Sequence, residues 1–158
     1  ANADVTDIVV IGSQSILGAY PDAPPEVLTS MEADVFPRNA PERSILIDGA
    51  IGELSMFHET FGYYAHGVDQ TTATLPADWT DRLIKLETQN TGSGIGWCLD
   101  PNDLAVSKLA ASRPKDLEFV VALARHRLID PATVLSRLAA IPNLPPSILS
   151  IAKDRLPH

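Results

Sequence analysis

The sequence predicts an α+β domain in which a small mixed sheet comes first and a set of helices follows. Four consecutive branched apolar residues, Ile8 to Ile11, predict a strand that is buried on both faces. Further short β-prone segments occur as far as Leu99. From Asp100 onward, prolines and apolar residues at helical spacing predict four successive helices. Strands followed by a run of helices are typical of the α+β class.

The chain has 158 residues, which suits one domain, with an α/β core at 1–99 and a helical C-terminal part at 100–158. Its formal charge of −8 argues against tight binding to a nucleic-acid backbone. Cys98 is the only cysteine, so an internal disulfide is excluded. We find no apolar run long enough to span a membrane and no signal-peptide pattern, and we therefore expect a cytoplasmic protein without a membrane partner.

The first strand is followed by Gly12-Ser13, where the chain is expected to turn into a short helix from Gln14 to Tyr20. A helix N-terminus offers free N–H groups to a phosphate, and glycine lets the ligand approach the backbone closely. The alternative is a tight structural turn with Ser13 as its cap. The Gly12-Ser13 pair is therefore a candidate phosphate-binding turn.

A second strand is predicted from Leu28 to Phe36, and it contains Glu32 and Asp34. Because strand side chains have a period of two, both carboxylates lie on one face. Mg²⁺ takes hard oxygen ligands from one or two carboxylates, and the remaining ligands from water and phosphates. The pair therefore indicates a Mg²⁺ or Mn²⁺ site for phosphoryl transfer, and the alternative is an exposed edge strand.

The middle of the chain gives weaker signals. The predicted elements there are a helix that contains Asp48 (42–54), a strand before Asp69 (63–68) and a segment with mixed helix and strand signals (79–88). A glycine-containing loop (89–96) and a last strand (95–99) follow. The helical part has clearer start signals, because each predicted helix begins at a proline: Asp100-Pro101, Pro114, Asp130-Pro131 and Pro145-Pro146.

Gly12-Ser13 followed by Glu32-x-Asp34 resembles the signature of the nucleotidyltransferase fold. The wider sequence is similar to bacterial proteins of the DUF6036 group, relatives of the AbiEii-type and MNT-type nucleotidyltransferases. This similarity is carried by four further segments: 46–50, 57–64, 74–76 and 99–104. The resemblance implies a nucleotidyltransferase-like mixed sheet with flanking helices. It also implies NTP binding at Gly12-Ser13 and metal binding at Glu32 and Asp34. If 63–68 is a strand, Asp69, which follows it, is the best-placed third acid for the metal.

Lys108 and the run Arg113-x-Lys115-Asp116 are similar to a basic motif that follows the core of AbiEii-like proteins. The resemblance implies that Lys108 and Arg113 bind the triphosphate. Two alternatives remain open: Lys108 is a solvated helix residue, and Arg113 pairs with Asp116 across the helix junction.

Zinc is not expected, because His58-Glu59 lacks a second histidine one turn later. His58 and His66 are candidates for the pocket lining, and Cys98 is expected to be an inert buried thiol. The resulting prediction is a metal-dependent enzyme that transfers NMP from NTP to an RNA or protein acceptor, related to toxin–antitoxin systems. The alternative is a non-catalytic nucleotide-binding or protein-interaction module on the same fold, acting with a partner protein or as a homo-oligomer.

Overall fold

The computed structural model describes residues 7–28, 32–37, 64–67, 74–86 and 95–157. Its strands are β1 Asp7–Val10, β2 Glu32–Pro37, β3 Tyr64–Gly67, β4 Ile84–Leu86 and β5 Ile95–Cys98. Its α-helices are α1 Ile16–Ala19, α2 Pro101–Ala111, α3 Pro114–Arg125, α4 Pro131–Ala139 and α5 Pro146–Arg155. Short 3-10 turns occupy Ser13–Ser15, Pro25–Val27 and Trp79–Arg82.

The strands form one mixed sheet in the order β3-β2-β1-β5-β4. The central strand, β1, runs antiparallel to β2 and parallel to β5. On the outer sides, β3 is parallel to β2 and β4 is antiparallel to β5. This mixed sheet, followed by helices, confirms the predicted α+β class and the nucleotidyltransferase-like architecture.

The central position of β1 explains its sequence. Val9 is 1% exposed and Val10 is 3% exposed, although successive residues lie on opposite faces of a strand. The sheet is therefore covered on both sides here, as the run of branched apolar residues predicts.

The helix α1 covers one face of the sheet at very close range. A Cβ atom on Gly18 would lie 2.5 Å from Cys98 Cβ and 2.9 Å from Cys98 Sγ. Real Cβ atoms do not approach each other so closely, so Gly18 is what permits this contact between α1 and β5.

The helical part begins at Asp100, as predicted. Asp100 Oδ1 accepts hydrogen bonds from the backbone N–H of Asn102, at 2.9 Å, and of Asp103, at 3.2 Å. These bonds satisfy two of the free donors at the start of α2. Helices also begin at Pro114, Pro131 and Pro146, as the sequence predicts.

The prediction that Asp130 repeats this capping device is wrong. Its side chain makes no capping bond to the backbone of α4, and it accepts a hydrogen bond from the Thr133 hydroxyl instead. The N–H of Asp130 donates to Asn102 Oδ1 at 2.8 Å. The residue therefore connects the start of α4 to α2 through its backbone.

One hydrophobic core joins the sheet to the helices. It includes Val9 and Ile11 from the sheet side, and Leu104 and Leu109 from α2. Apolar residues of every later helix also belong to it, at positions 117, 120, 134, 138 and 152.

The segment 79–88, for which the sequence gives mixed helix and strand signals, contains the 3-10 turn Trp79–Arg82 and the strand β4. The predicted helix 42–54, with Asp48, lies outside the described residues. No helix in the described ranges is long and apolar enough to span a membrane.

Candidate functional site

The turn after β1 is tighter than predicted. The N–H of Ser15 donates to the carbonyl of Gly12 at 2.9 Å, which closes a 3-10 turn, and α1 then contains only the four residues Ile16–Ala19. The predicted short helix from Gln14 to Tyr20 is confirmed within one residue at each end, with the 3-10 turn Ser13–Ser15 as its first turn. Since so short a helix has little dipole, any anion here would be bound mainly by the backbone and hydroxyl groups of the turn.

The register of β1 and β2 brings this turn to the acidic pair. Val10 lies opposite Val35 in the antiparallel ladder. The end of β1, which leads to Gly12, therefore lies next to the start of β2. The turn Ser13–Ser15 contacts β2. Glu32 and Asp34, at the start of β2, therefore lie at the same end of the sheet as Gly12 and Ser13.

The strand β3 adds a further residue to this end of the sheet. In the parallel ladder of β2 and β3, Glu32 lies beside Tyr64 and Asp34 lies beside His66. Paired residues of adjacent strands share one face of a sheet. Asp69, the predicted third acid, follows β3 and lies outside the described residues.

The same register identifies which face carries the acidic pair. Phe36 lies opposite Val9, and Asp34 is two residues before Phe36 on the same strand. Asp34 and Phe36 therefore share the face of Val9, whose side chain belongs to the core formed with the C-terminal helices. The acidic pair thus shares the face of Val9, opposite to the face of Val10.

Lys108, Arg113 and Asp116 meet where α2 ends and α3 begins. Asp116 is 2% exposed, and its carboxylate accepts hydrogen bonds from Arg113 Nε at 2.7 Å and from Arg113 Nη2 at 3.2 Å. It also accepts one from the Arg113 backbone N–H at 3.2 Å, and the Asp116 N–H donates in turn to the Arg113 carbonyl at 2.9 Å. Asp116 therefore holds the helix junction together.

Lys108 takes part in the same cluster. Its Nζ lies 3.9 Å from Asp116 Oδ1 and 5.8 Å from the centre of the Phe119 ring, and its side chain is 18% exposed. The open alternative that Lys108 is a solvated helix residue is therefore wrong, whereas the pairing of Arg113 with Asp116 is confirmed.

Sequence reasoning missed a second buried acid. Asp103 is fully buried and accepts hydrogen bonds from Arg82 Nε at 2.8 Å, from Arg82 Nη2 at 3.1 Å and from Arg137 Nη1 at 3.0 Å. The hydrogen bond to Asp103 raises the pKa of Arg82. Neither arginine is near Asp103 in the chain, so no local sequence pattern indicates this network.

Two small polar groups are buried near the turn. Ser15 is fully buried, and its hydroxyl is the one buried side-chain polar atom without a hydrogen-bond partner in the part of the chain that the structure describes. Burial raises the pKa of the Cys98 thiol to about 12. Cys98 is therefore an inert buried thiol, as predicted, because the reactive form is the thiolate.

A search of curated proteins and a search of solved structures gave no significant match to the chain. A family described as a nucleotidyltransferase of unknown function, DUF6036, matches residues 1–142. This match covers the turn, the acidic strand, β3 and the helix junction. The chain therefore belongs to the DUF6036 family of nucleotidyltransferases.

Proposed function

We propose that this protein is a metal-dependent nucleotidyltransferase that moves a nucleoside monophosphate from an NTP to an RNA or protein acceptor. The observation that carries the proposal is the shared position of Gly12-Ser13 and of Glu32 and Asp34 at one end of the sheet. A phosphate-binding turn next to two carboxylates is what triphosphate and divalent-metal chemistry requires.

In the proposed reaction, an acceptor hydroxyl oxygen forms a bond to the α-phosphorus of the NTP. The bond from that phosphorus to the bridging oxygen breaks, pyrophosphate leaves, and the hydroxyl proton passes to solvent. Mg²⁺ or Mn²⁺, when bound, would neutralise negative charge at the phosphates. Glu32 and Asp34 are the residues of β2 whose carboxylates fit such a cation, since both offer hard oxygen ligands.

The turn and the basic residues have separate roles in this proposal. Backbone N–H groups and the hydroxyl of Ser13 would hold phosphate oxygens, and Ser13 is half-buried rather than enclosed. Lys108 and Arg113 would supply positive charge to the triphosphate. Asp116 orients Arg113 and lies close to Lys108, so it would set the position of both cations.

The test combines nucleotide binding with label transfer. An NTP together with Mg²⁺ or Mn²⁺ is expected to raise the melting temperature more than either alone, because a ligand of the folded state stabilises it by mass action. The double variant Glu32→Gln/Asp34→Asn should lose this gain. The matched control is Glu118→Gln/Asp154→Asn, which removes two exposed carboxylates from α3 and α5.

Label from α-labelled NTPs should reach bacterial RNA or protein only when Glu32 and Asp34 are present. Lys108→Ala should weaken NTP binding and transfer together, and label on protein partners would support the toxin–antitoxin setting. Nucleotide binding without transfer to any acceptor would favour the non-catalytic module. An unchanged thermal shift in the Glu32/Asp34 variant would place the site elsewhere.

A further inference from the structure

The residue paired with Asp34 across the sheet is a histidine. In the parallel ladder of β2 and β3, Asp34 lies beside His66, and the preceding pair on the same face is Glu32 with Tyr64. Paired positions on neighbouring strands are about 4.8 Å apart. Glu32, Asp34 and His66 therefore occupy adjacent positions on one face, at the end of the sheet where Gly12 and Ser13 follow β1.

We propose that His66 is the third protein ligand of the divalent cation held by Glu32 and Asp34. This inference rests on the proposed function and identifies a residue that its metal site would use. Two carboxylates and an imidazole form a mixed oxygen and nitrogen set, and neutral imidazole is a common metal ligand. The placement comes from the backbone register of β2 and β3.

His66 and His126 lie in different surroundings in the part of the chain that the structure describes. His126, in the part of the chain with described side chains, lies after α3 with its Nε2 atom 2.7 Å from Glu26 Oε2. No three metal-binding side chains gather elsewhere in the ranges whose side chains the structure describes. His66, by contrast, is placed next to an acid of the candidate site by the hydrogen-bonded ladder itself.

The chemistry of the donor set determines which cation is favoured. Mg²⁺ strongly prefers oxygen ligands, whereas affinity for nitrogen donors increases along the first transition series. An imidazole in place of a third carboxylate also leaves the site with one less negative charge. The site should therefore bind a first-row divalent cation better than Mg²⁺, and Mn²⁺ is the suitable probe.

The experiment is electron paramagnetic resonance of Mn²⁺ added to the whole protein without nucleotide. The resonance signal of free Mn²⁺ gives the affinity of the protein for the ion. Electron spin echo modulation detects a nitrogen nucleus bound to the ion. We expect ¹⁴N modulation in the unmodified protein. His66→Gln should remove it and weaken Mn²⁺ binding by at least about 10-fold, because loss of a residue that only supports a metal ligand already costs about 10-fold to 100-fold. His66→Asp should restore affinity without modulation and shift preference toward Mg²⁺.

The controls separate this inference from the proposed function. His126→Gln removes a histidine far along the chain and should leave Mn²⁺ binding unchanged. Asp69→Asn tests the alternative third ligand and should have little effect. Absence of ¹⁴N modulation, or Mn²⁺ binding that depends on Glu32 and Asp34 but not on His66, would overturn the inference alone. Absence of any Mn²⁺ binding that depends on Glu32 and Asp34 would overturn the proposed metal site as well.

If His66→Gln fails to fold, as judged by circular dichroism, His66→Asp is the second variant, because it keeps a ligand for the ion. Loss of ¹⁴N modulation in His66→Asp with Mn²⁺ still bound would support His66 as the nitrogen ligand. Modulation that persists in His66→Asp would overturn the assignment.

Discussion

Asp103 accepts a hydrogen bond of 2.8 Å from Arg82 across 21 positions of sequence, and this contact joins the turn before β4 to the start of α2. Arg137, from α4, reaches the same carboxylate and also Asp100. Asp103 is fully buried, whereas the side chains of Arg82 and Arg137 are about a quarter exposed. The network therefore connects three elements through a single enclosed acid.

Replacement of Asp103 should be strongly destabilising. Breaking a buried ion pair costs about 3–5 kcal/mol, and the partial exposure of both arginines reduces this to about 2–4 kcal/mol for Asp103→Asn. Urea unfolding measures the change. Asp81→Asn, an exposed acid of the neighbouring turn, is the control and should stay within about 0.5 kcal/mol. Similar stabilities of the two variants would show that the network contributes little.

The contact between Gly18 and Cys98 predicts a steric penalty. Gly18→Ala would place a Cβ 2.5 Å from Cys98 Cβ, and overpacking of this kind costs about 1–3 kcal/mol. In an unconstrained helix the same change would stabilise by about 1 kcal/mol. In the Gly18→Ala background, Cys98→Gly should recover part of the loss, while Cys98→Ala, which keeps the Cβ, should recover less. A stabilising Gly18→Ala would contradict the close packing.

The Cys98 thiol should resist alkylation while the protein is folded. With a pKa of about 12, its thiolate fraction near pH 8 is on the order of 10³-fold below that of an unfolded cysteine. Iodoacetamide labelling followed by mass spectrometry measures the rate. The control is the same protein in concentrated urea, where labelling should be rapid. Fast labelling of the folded protein would show that the thiol is accessible.

The unpartnered hydroxyl of Ser15 should cost stability. A buried polar group without a hydrogen bond costs about 1–3 kcal/mol, so Ser15→Ala is expected to raise the free energy of unfolding by about 1 kcal/mol. The matched control is Ser107→Ala, because the buried Ser107 hydroxyl donates to the Leu104 carbonyl at 2.8 Å. That variant should show no gain. A loss of stability in Ser15→Ala would indicate that the hydroxyl is satisfied in solution.

Glu26 should contribute to stability in a pH-dependent way. Its carboxylate pairs with His126 at 2.7 Å and with Arg125, and the hydrogen bond from His126 is the main cause that lowers the pKa of Glu26 from 4.5. A lowered pKa in the folded state gives stability that is present at higher pH and is lost as the pH falls through that pKa. The pair joins the turn Pro25–Val27 to the end of α3.

The comparison of the unmodified protein with Glu26→Gln tests this sign. The difference in melting temperature should be fully present above pH 4.5, the ordinary pKa of the group, and should shrink as the pH falls below that value. Glu118→Gln, on the exposed side of α3, serves as the control. A difference that grows on acidification would contradict the assigned pairing.

Several features could be predicted from the sequence because local chemistry determines them. Branched apolar residues from Ile8 to Ile11 indicated the central strand, since only a strand covered on both faces tolerates such a run. Prolines after Asp100 indicated the helix starts, because proline is favoured in the first turn and excluded from helix interiors. The sequence also predicts a strand that contains Glu32 and Asp34, and both residues lie in β2.

Other features depend on which segments of the chain meet in space. The pairing of Asp34 with His66 follows from strand register, which hydrogen bonds between distant segments fix and which the sequence alone leaves open. The burial of Asp103 between two arginines depends on helix packing in the same way. The sequence by itself thus determined the elements and the candidate acids. The tertiary structure decided their neighbours, because side-chain partners are set by packing across the core and not by proximity in the chain.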